Sequence, residues 1–154
     1  MSHAQHGHQH VSLNRSAFSA TAHCLTGCAI GEILGLVIAT AAGWSTVPSI
    51  AIAIALAFCF GYAFTITPIV RAGVPFRRAL RLALVSDTAS ITVMEIVDNA
   101  FILIVPGAMA AGLGDAKFWW SLGVGLAIAF VFAFPLNRWL IARGRGHAVV
   151  HQYH

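Results

Sequence analysis

Cys24, Cys28 and Glu32 recur at i, i+4 and i+8 within His23-Cys24-Leu25-Thr26-Gly27-Cys28-Ala29-Ile30-Gly31-Glu32. That spacing puts two thiols and a carboxyl in line on one face of a helix, with His23 flanking the line. Two thiolates and an imidazole suit Cu(I) or Zn(II). A second face comes from the segment Ser86 to Asn99, where Asp87, Ile91, Met94, Glu95 and Asp98 follow i, i+4, i+7, i+8 and i+11. The two segments supply candidate metal ligands in His23, Cys24, Cys28, Met94 and Asp87, and candidate proton- or cation-coupling groups in Glu32, Glu95 and Asp98. A CxxxC spacing is much less specific than paired CxxC knuckles, and small buried packing residues are the competing explanation for the thiols.

These groups sit in unusual surroundings. Four of the five carboxylates, Glu32, Asp87, Glu95 and Asp98, fall inside stretches apolar enough to cross a membrane, with no Lys or Arg in mid-stretch to neutralise them. A charged side chain at the bilayer centre costs roughly 2.5–3.5 kcal/mol on insertion scales. Asn99, Ser90 and Thr92 are adequately explained as hydrogen-bonding glue between helices. Three carboxylates on one helix are not, because a neutral amide would serve at lower cost.

The elements that must carry them follow from composition. The chain has 154 residues, 58% apolar and 9% charged, against about 25% charged in ordinary soluble domains. Four apolar segments, about 18–43, 48–70, 80–105 and 118–142, reach the roughly 20 residues that span hydrocarbon. The expected architecture is an all-α, integral-membrane four-helix bundle, flanked by His-rich tails at 1–17 and 144–154. The first 17 residues have no apolar h-region and the first span has no small-residue cleavage site, so that span is expected to be retained. Gly27, Gly31 and Gly35 form a helix-packing stripe one position from the thiol stripe, and small-xxx-small spacing lets two membrane helices approach closely. The thiol stripe should therefore face protein rather than lipid.

Arginines fix an expected orientation. Arg15 precedes span one, Arg71, Arg77, Arg78 and Arg81 lie between spans two and three, and Arg138, Arg143 and Arg145 lie at the end of span four. All fall on one side, which the positive-inside rule makes cytoplasmic together with both termini. Trp44, Trp119 and Trp120 then anchor the outer interface. The basic patch reads as a topology signal touching lipid head groups, not as a nucleic-acid site. Cys59, the third cysteine, reads as a buried packing residue, and none of the three suggests an extracellular disulfide framework.

Both halves of the chain are hairpins. Setting Glu32 against Glu95 also sets Cys24 against Asp87, which suggests two tandem hairpins about a pseudo-twofold axis along the membrane normal, with the glutamates at similar depth. If helices one and three touch, their polar stripes make a track from the cytoplasm to the midplane. His3, His6, His8 and His10 in the first tail, and His147, His151 and His154 in the last, could capture metal for it.

The run His23 to Glu32, together with Met94-Glu95-Ile96-Val97-Asp98-Asn99 and Asn137-Arg138-Trp139-Leu140-Ile141-Ala142-Arg143-Gly144, resembles the bacterial membrane family catalogued as domain of unknown function 4396. The resemblance covers about 18–147 and implies a small multi-pass membrane protein without assigned activity. A copper connection attached to some members agrees with the sulfur and imidazole inventory here.

The leading expectation is a bacterial inner-membrane protein that binds Cu(I) or Zn(II) between helices one and three, for transport or homeostasis with proton coupling. A proton or monovalent-cation pathway without metal is the first alternative. A membrane redox subunit or a non-catalytic assembly protein is the other. An enzyme is less expected than a transporter. Haem is disfavoured, since His23 is the one histidine in or beside a span. The expected partners are the bilayer, a metal ion or proton, and a second copy of the chain, because four helices leave little surface to enclose a polar track.

Overall fold

The computed structural model describes residues 13–143. It contains four helices, α1 (Leu13–Ala42), α2 (Thr46–Arg71), α3 (Phe76–Ile104) and α4 (Ala116–Ala142). At about 1.5 Å per residue each runs roughly 40 Å, enough to cross hydrocarbon. The bundle forms as expected. Each helix packs on its neighbours in sequence, α4 closes back on α1, and α1 touches α3 along the short diagonal.

Short connections force this up-and-down order. Gly43 (φ 64°) and Gly73 (φ 88°) take left-handed backbone after α1 and α2. That conformation lets Trp44 N–H reach Ala39 O at 2.9 Å and Val74 N–H reach Ile69 O at 3.3 Å, closing each helix end. The basic link expected from Arg71 to Arg81 is shorter than that. Pro75, with φ −55°, starts α3 immediately, so Arg77, Arg78 and Arg81 occupy its first turns. The third connection, Val105–Asp115, is longer and tied down. Lys117 Nζ donates to Pro106 O at 3.3 Å, Trp119 Nε1 to Leu113 O at 2.8 Å, and Gly112 N–H to Asp115 Oδ2 at 3.1 Å.

The bundle is apolar outside and polar inside. Val131, Phe132, Ile96, Leu103 and Ile104 are exposed, while Glu32, Asp87, Glu95, Asp98 and Asn137 are buried. In water this distribution would be unstable, but hydrocarbon reverses the preference. Helices α1, α2 and α4 are long and apolar enough to cross a membrane by length and composition. The fourth expected span, α3, matches them in length but not in hydropathy, because its inner face carries Asp87, Glu95 and Asp98 and its first turns carry arginines. Its apolar residues Leu84, Val85, Ile96 and Leu103 point outward and its carboxyls inward.

The glycine stripe of α1 meets a matching stripe on α2. A Cβ on Gly27 would lie 2.8 Å from Gly61 Cα, one on Gly35 would lie 2.5 Å from Ala53 Cα, and one on Gly31 would fall on the Ala57 backbone. Ala53, Ala57 and Gly61 repeat every four residues, so two small-residue ridges interlock within one chain. The stripe is thus used inside the protomer.

Candidate functional site

With the α1 glycines facing α2, the adjacent thiol stripe turns toward α3. Cys24, Cys28 and Met94 are essentially inaccessible and belong to one contiguous buried cluster with Ile91, Ala57, Ala129 and Ala133. Two thiols and a thioether are therefore gathered in one packed apolar cluster of the bundle. Small residues on α2 and α4 help, because Ala57, Ala129 and Ala133 let their backbones pack close against it.

The carboxyls flank that cluster in three levels. At the level nearest the arginine-bearing helix ends, Asp87 lies beside Cys24. It accepts a hydrogen bond from Ser86 Oγ at 2.6 Å, and the Thr65 hydroxyl of α2 faces it. At the middle level, Cys28 faces Glu95 within hydrogen-bonding reach. Asn99 Nδ2 donates to Glu95 Oε2 at 3.4 Å and to Glu95 O at 2.9 Å. At the level nearest the Val105–Asp115 connection, Glu32 and Asp98 meet carboxyl to carboxyl.

Cys24 and Asp87 lie side by side as their similar depth suggested, while Glu32 is closer to Asp98 than to Glu95. The pairs Cys24–Asp87, Cys28–Glu95 and Glu32–Asp98 do not share one sequence offset. Equal spacing on α1 meets steps of eight and then three residues on α3, and a 3.6-residue turn allows either on one face. Glu95 still lies close enough to Glu32 for their charges to interact.

Among the described residues, no three His, Cys, Asp or Glu side chains converge as a metal ion held by those types would require. His23 is exposed, and its ring rests edge-on against Phe64 with centroids 5.2 Å apart. It lines a surface groove with Phe60, Thr67, Pro68 and Arg71, outside the sulfur cluster. His3, His6, His8, His10, His147, His151 and His154 lie outside the described residues. Cys59 is exposed on α2 rather than buried, because the small-residue face of that helix is the one turned inward.

Asn137, Thr21, Thr65 and Gly125 were not anticipated as positioning residues, whereas Ser90 was expected to bond a neighbouring helix and does. Asn137 of α4 donates to Thr21 Oγ1 of α1 and Ser90 Oγ of α3, both at 2.9 Å. Ser90 in turn lies against Cys24. Thr65 of α2 stands close to Asp87. Gly125 of α4 leaves room for Asp98, since a Cβ there would occupy the space of its Oδ1. A lone polar residue in an apolar span, as at Asn137, is a legible signal. The Gly125 role is legible only once α3 and α4 are placed together.

Residues 13–146 match the family described as Domain of unknown function (DUF4396). The chain belongs to that family. Comparison with curated proteins and with solved structures found no match. The family relation therefore brings no assigned chemistry to these side chains, and what they do has to be argued from their arrangement.

Proposed function

We propose that this chain is a bacterial inner-membrane protein that handles Cu(I), with the ion held by the Cys24, Cys28 and Met94 sulfurs and its movement coupled to protons at Glu95, Glu32 and Asp98. The observation that carries this reading is the burial of all three sulfurs in one cluster, with a carboxyl beside each thiol. Soft thiolate and thioether ligands favour Cu(I), which is satisfied by two or three of them. Zn(II), the other candidate, favours four ligands in a tetrahedron, and the lack of a three-residue His, Cys, Asp or Glu cluster among the described residues weighs against it. A thiol must lose its proton to bind metal. A neighbouring carboxyl gives that proton somewhere to go, and Glu95 stands beside Cys28 for that step.

The arginine-bearing ends of the helices would face the cytoplasm, and the Val105–Asp115 connection would face outward. Cysteine-accessibility labelling at Gly114 and at Ala72 should assign these two ends of the bundle to opposite sides.

Purified protein loaded with Cu(I) under reducing conditions should retain stoichiometric metal by mass spectrometry against a competing chelator. Cys24→Ser with Cys28→Ser should abolish retention and alter copper tolerance in cells. Wild-type protein without stoichiometric copper, and unchanged tolerance in the double variant, would end the proposal.

A second reading, a proton or monovalent-cation pathway without metal, is favoured by the Glu32–Asp98 pair, which offers oxygen and no sulfur. Proteoliposome flux lost in Glu95→Gln but kept in the cysteine double variant would select it.

A further inference from the structure

A cavity of about 80 Å³ lies between the Glu32–Asp98 pair and the Val105–Asp115 connection. One water needs roughly 10–15 Å³ of such volume, so several would fit. The polar groups on its wall belong to Glu32, Asp98, Asn99, Ser49 and Ser121. Leu36, Ile50 and Phe118 contribute apolar wall, and Ala108 and Ala111 of the connection form the roof. Cys24, Cys28 and Met94 are not part of it, and its one sulfur, that of Met109, is carried by the connection.

Glu32 is 9% and Asp98 1% exposed. Among the described residues, no other side chain donates to any of their four carboxyl oxygens. Buried oxygens without donors are costly unless water, a proton or a cation satisfies them. Two facing carboxyls cannot bond to each other without a proton between them. Below the pair, Met94, Ile91 and Ala57 close the bundle, so the open space lies on the side of the connection.

The geometry points to a binding site for a hard, oxygen-preferring metal cation at the Glu32–Asp98 pair, reached from the side of the Val105–Asp115 connection and separate from the sulfur cluster. An almost purely oxygen donor set selects hard cations such as Ca²⁺ or Na⁺ over Cu(I). Two carboxylates balance one Ca²⁺, or one Na⁺ and one proton. Mg²⁺ gives up its water reluctantly and fits a small apolar-walled space less well. Gly125 fits this role, because it leaves the Asp98 carboxyl the volume that a methyl group would take.

The inference deepens the cation reading of the Glu32–Asp98 pair given above and does not depend on copper binding, so its test is separate. Metal-stripped full-length protein in detergent is titrated calorimetrically with Ca²⁺ and with Na⁺, choline holding the ionic strength constant. Saturable binding of at least one ion is expected. Glu32→Gln and Asp98→Asn should each weaken it at least ~10-fold, and Ala111→Leu, which fills the cavity, should weaken it without touching either carboxyl. The Cys24→Ser, Cys28→Ser variant should bind the ion as wild type does. Proton release on binding separates the Na⁺ case from the Ca²⁺ case. Absence of saturable binding by wild type, or binding intact in both carboxyl variants, would overturn the proposal. If calorimetric heats are too small, thermal unfolding replaces them: ion-dependent stabilisation of wild type that is lost in both variants supports the site, and its absence in wild type overturns it.

Discussion

Glu32 of α1 and Asp98 of α3 stand carboxyl to carboxyl across the short diagonal of the bundle, buried and with no donor from any other described side chain. Asp87 and Glu95 differ, since Ser86 donates to the first and Asn99 to the second. The Glu32–Asp98 pair is hard to explain by stability, because a buried polar group left unpaired costs about 1–3 kcal/mol.

Glu32→Gln and Asp98→Asn should therefore stabilise the fold. Each replaces one facing carboxyl by an amide that can donate to the other. A gain of about 0.5–1.5 kcal/mol is expected from an amide donor that needs no shared proton, read as a higher unfolding temperature in detergent at neutral pH without added metal. A lower temperature for both variants would mean that the pair holds the helices together.

Glycines in apparently similar sequence should behave very differently. Gly31→Ala forces α1 off the Ala57 backbone, and overpacking of this kind costs typically about 1–3 kcal/mol. Gly125→Ala should displace the Asp98 carboxyl, whereas Gly123→Ala, two residues away on the same helix, meets nothing within 4 Å. Removing glycine from an exposed helical position should stabilise by up to ~1 kcal/mol. Thermal unfolding of the three variants side by side checks the order.

Asn137 bonds to both α1 and α3 from α4. Asn137→Ala removes two hydrogen bonds, each worth about 0.5–1.5 kcal/mol net, and leaves a void. A loss of roughly 2–3 kcal/mol is expected. Because Ser90 lies against Cys24, the same variant should also change Cu(I) affinity, which Asn137→Ser should partly restore. Competition with a copper chelator measures both.

Met94→Leu separates packing from ligation. The two side chains have similar volume, so the fold should lose less than about 1.5 kcal/mol. The thioether is gone, and Cu(I) retention should fall while the hard-cation site is unchanged. Cys59→Ala, at an exposed position, should leave both stability and copper retention as they are, within about 0.5 kcal/mol for stability.

Much of this was legible in the chain. Apolar segment lengths, connections too short for anything but antiparallel neighbours, and the Gly27–Gly31–Gly35 ridge determined a four-helix bundle with one tight α1 contact. The three-residue and four-residue spacings on α1 and α3 determined that Cys24, Cys28 and Glu32 share one face, and that Asp87, Met94, Glu95 and Asp98 share another. Periodicity within a helix is local, so sequence suffices for it. Which faces meet is not local. The interlocking of the α1 glycines with Ala53, Ala57 and Gly61 rotates the thiols toward α3 and leaves His23 on the outside. The axial offset of α1 against α3 then places Glu32 opposite Asp98 and Cys28 opposite Glu95, which departs from the pairing that equal depth suggests. Rotation and axial shift are set by packing against all neighbours at once. That is why the inventory of chemical groups could be read from the sequence, while their division into a sulfur cluster and an oxygen-lined cavity came only from the tertiary structure.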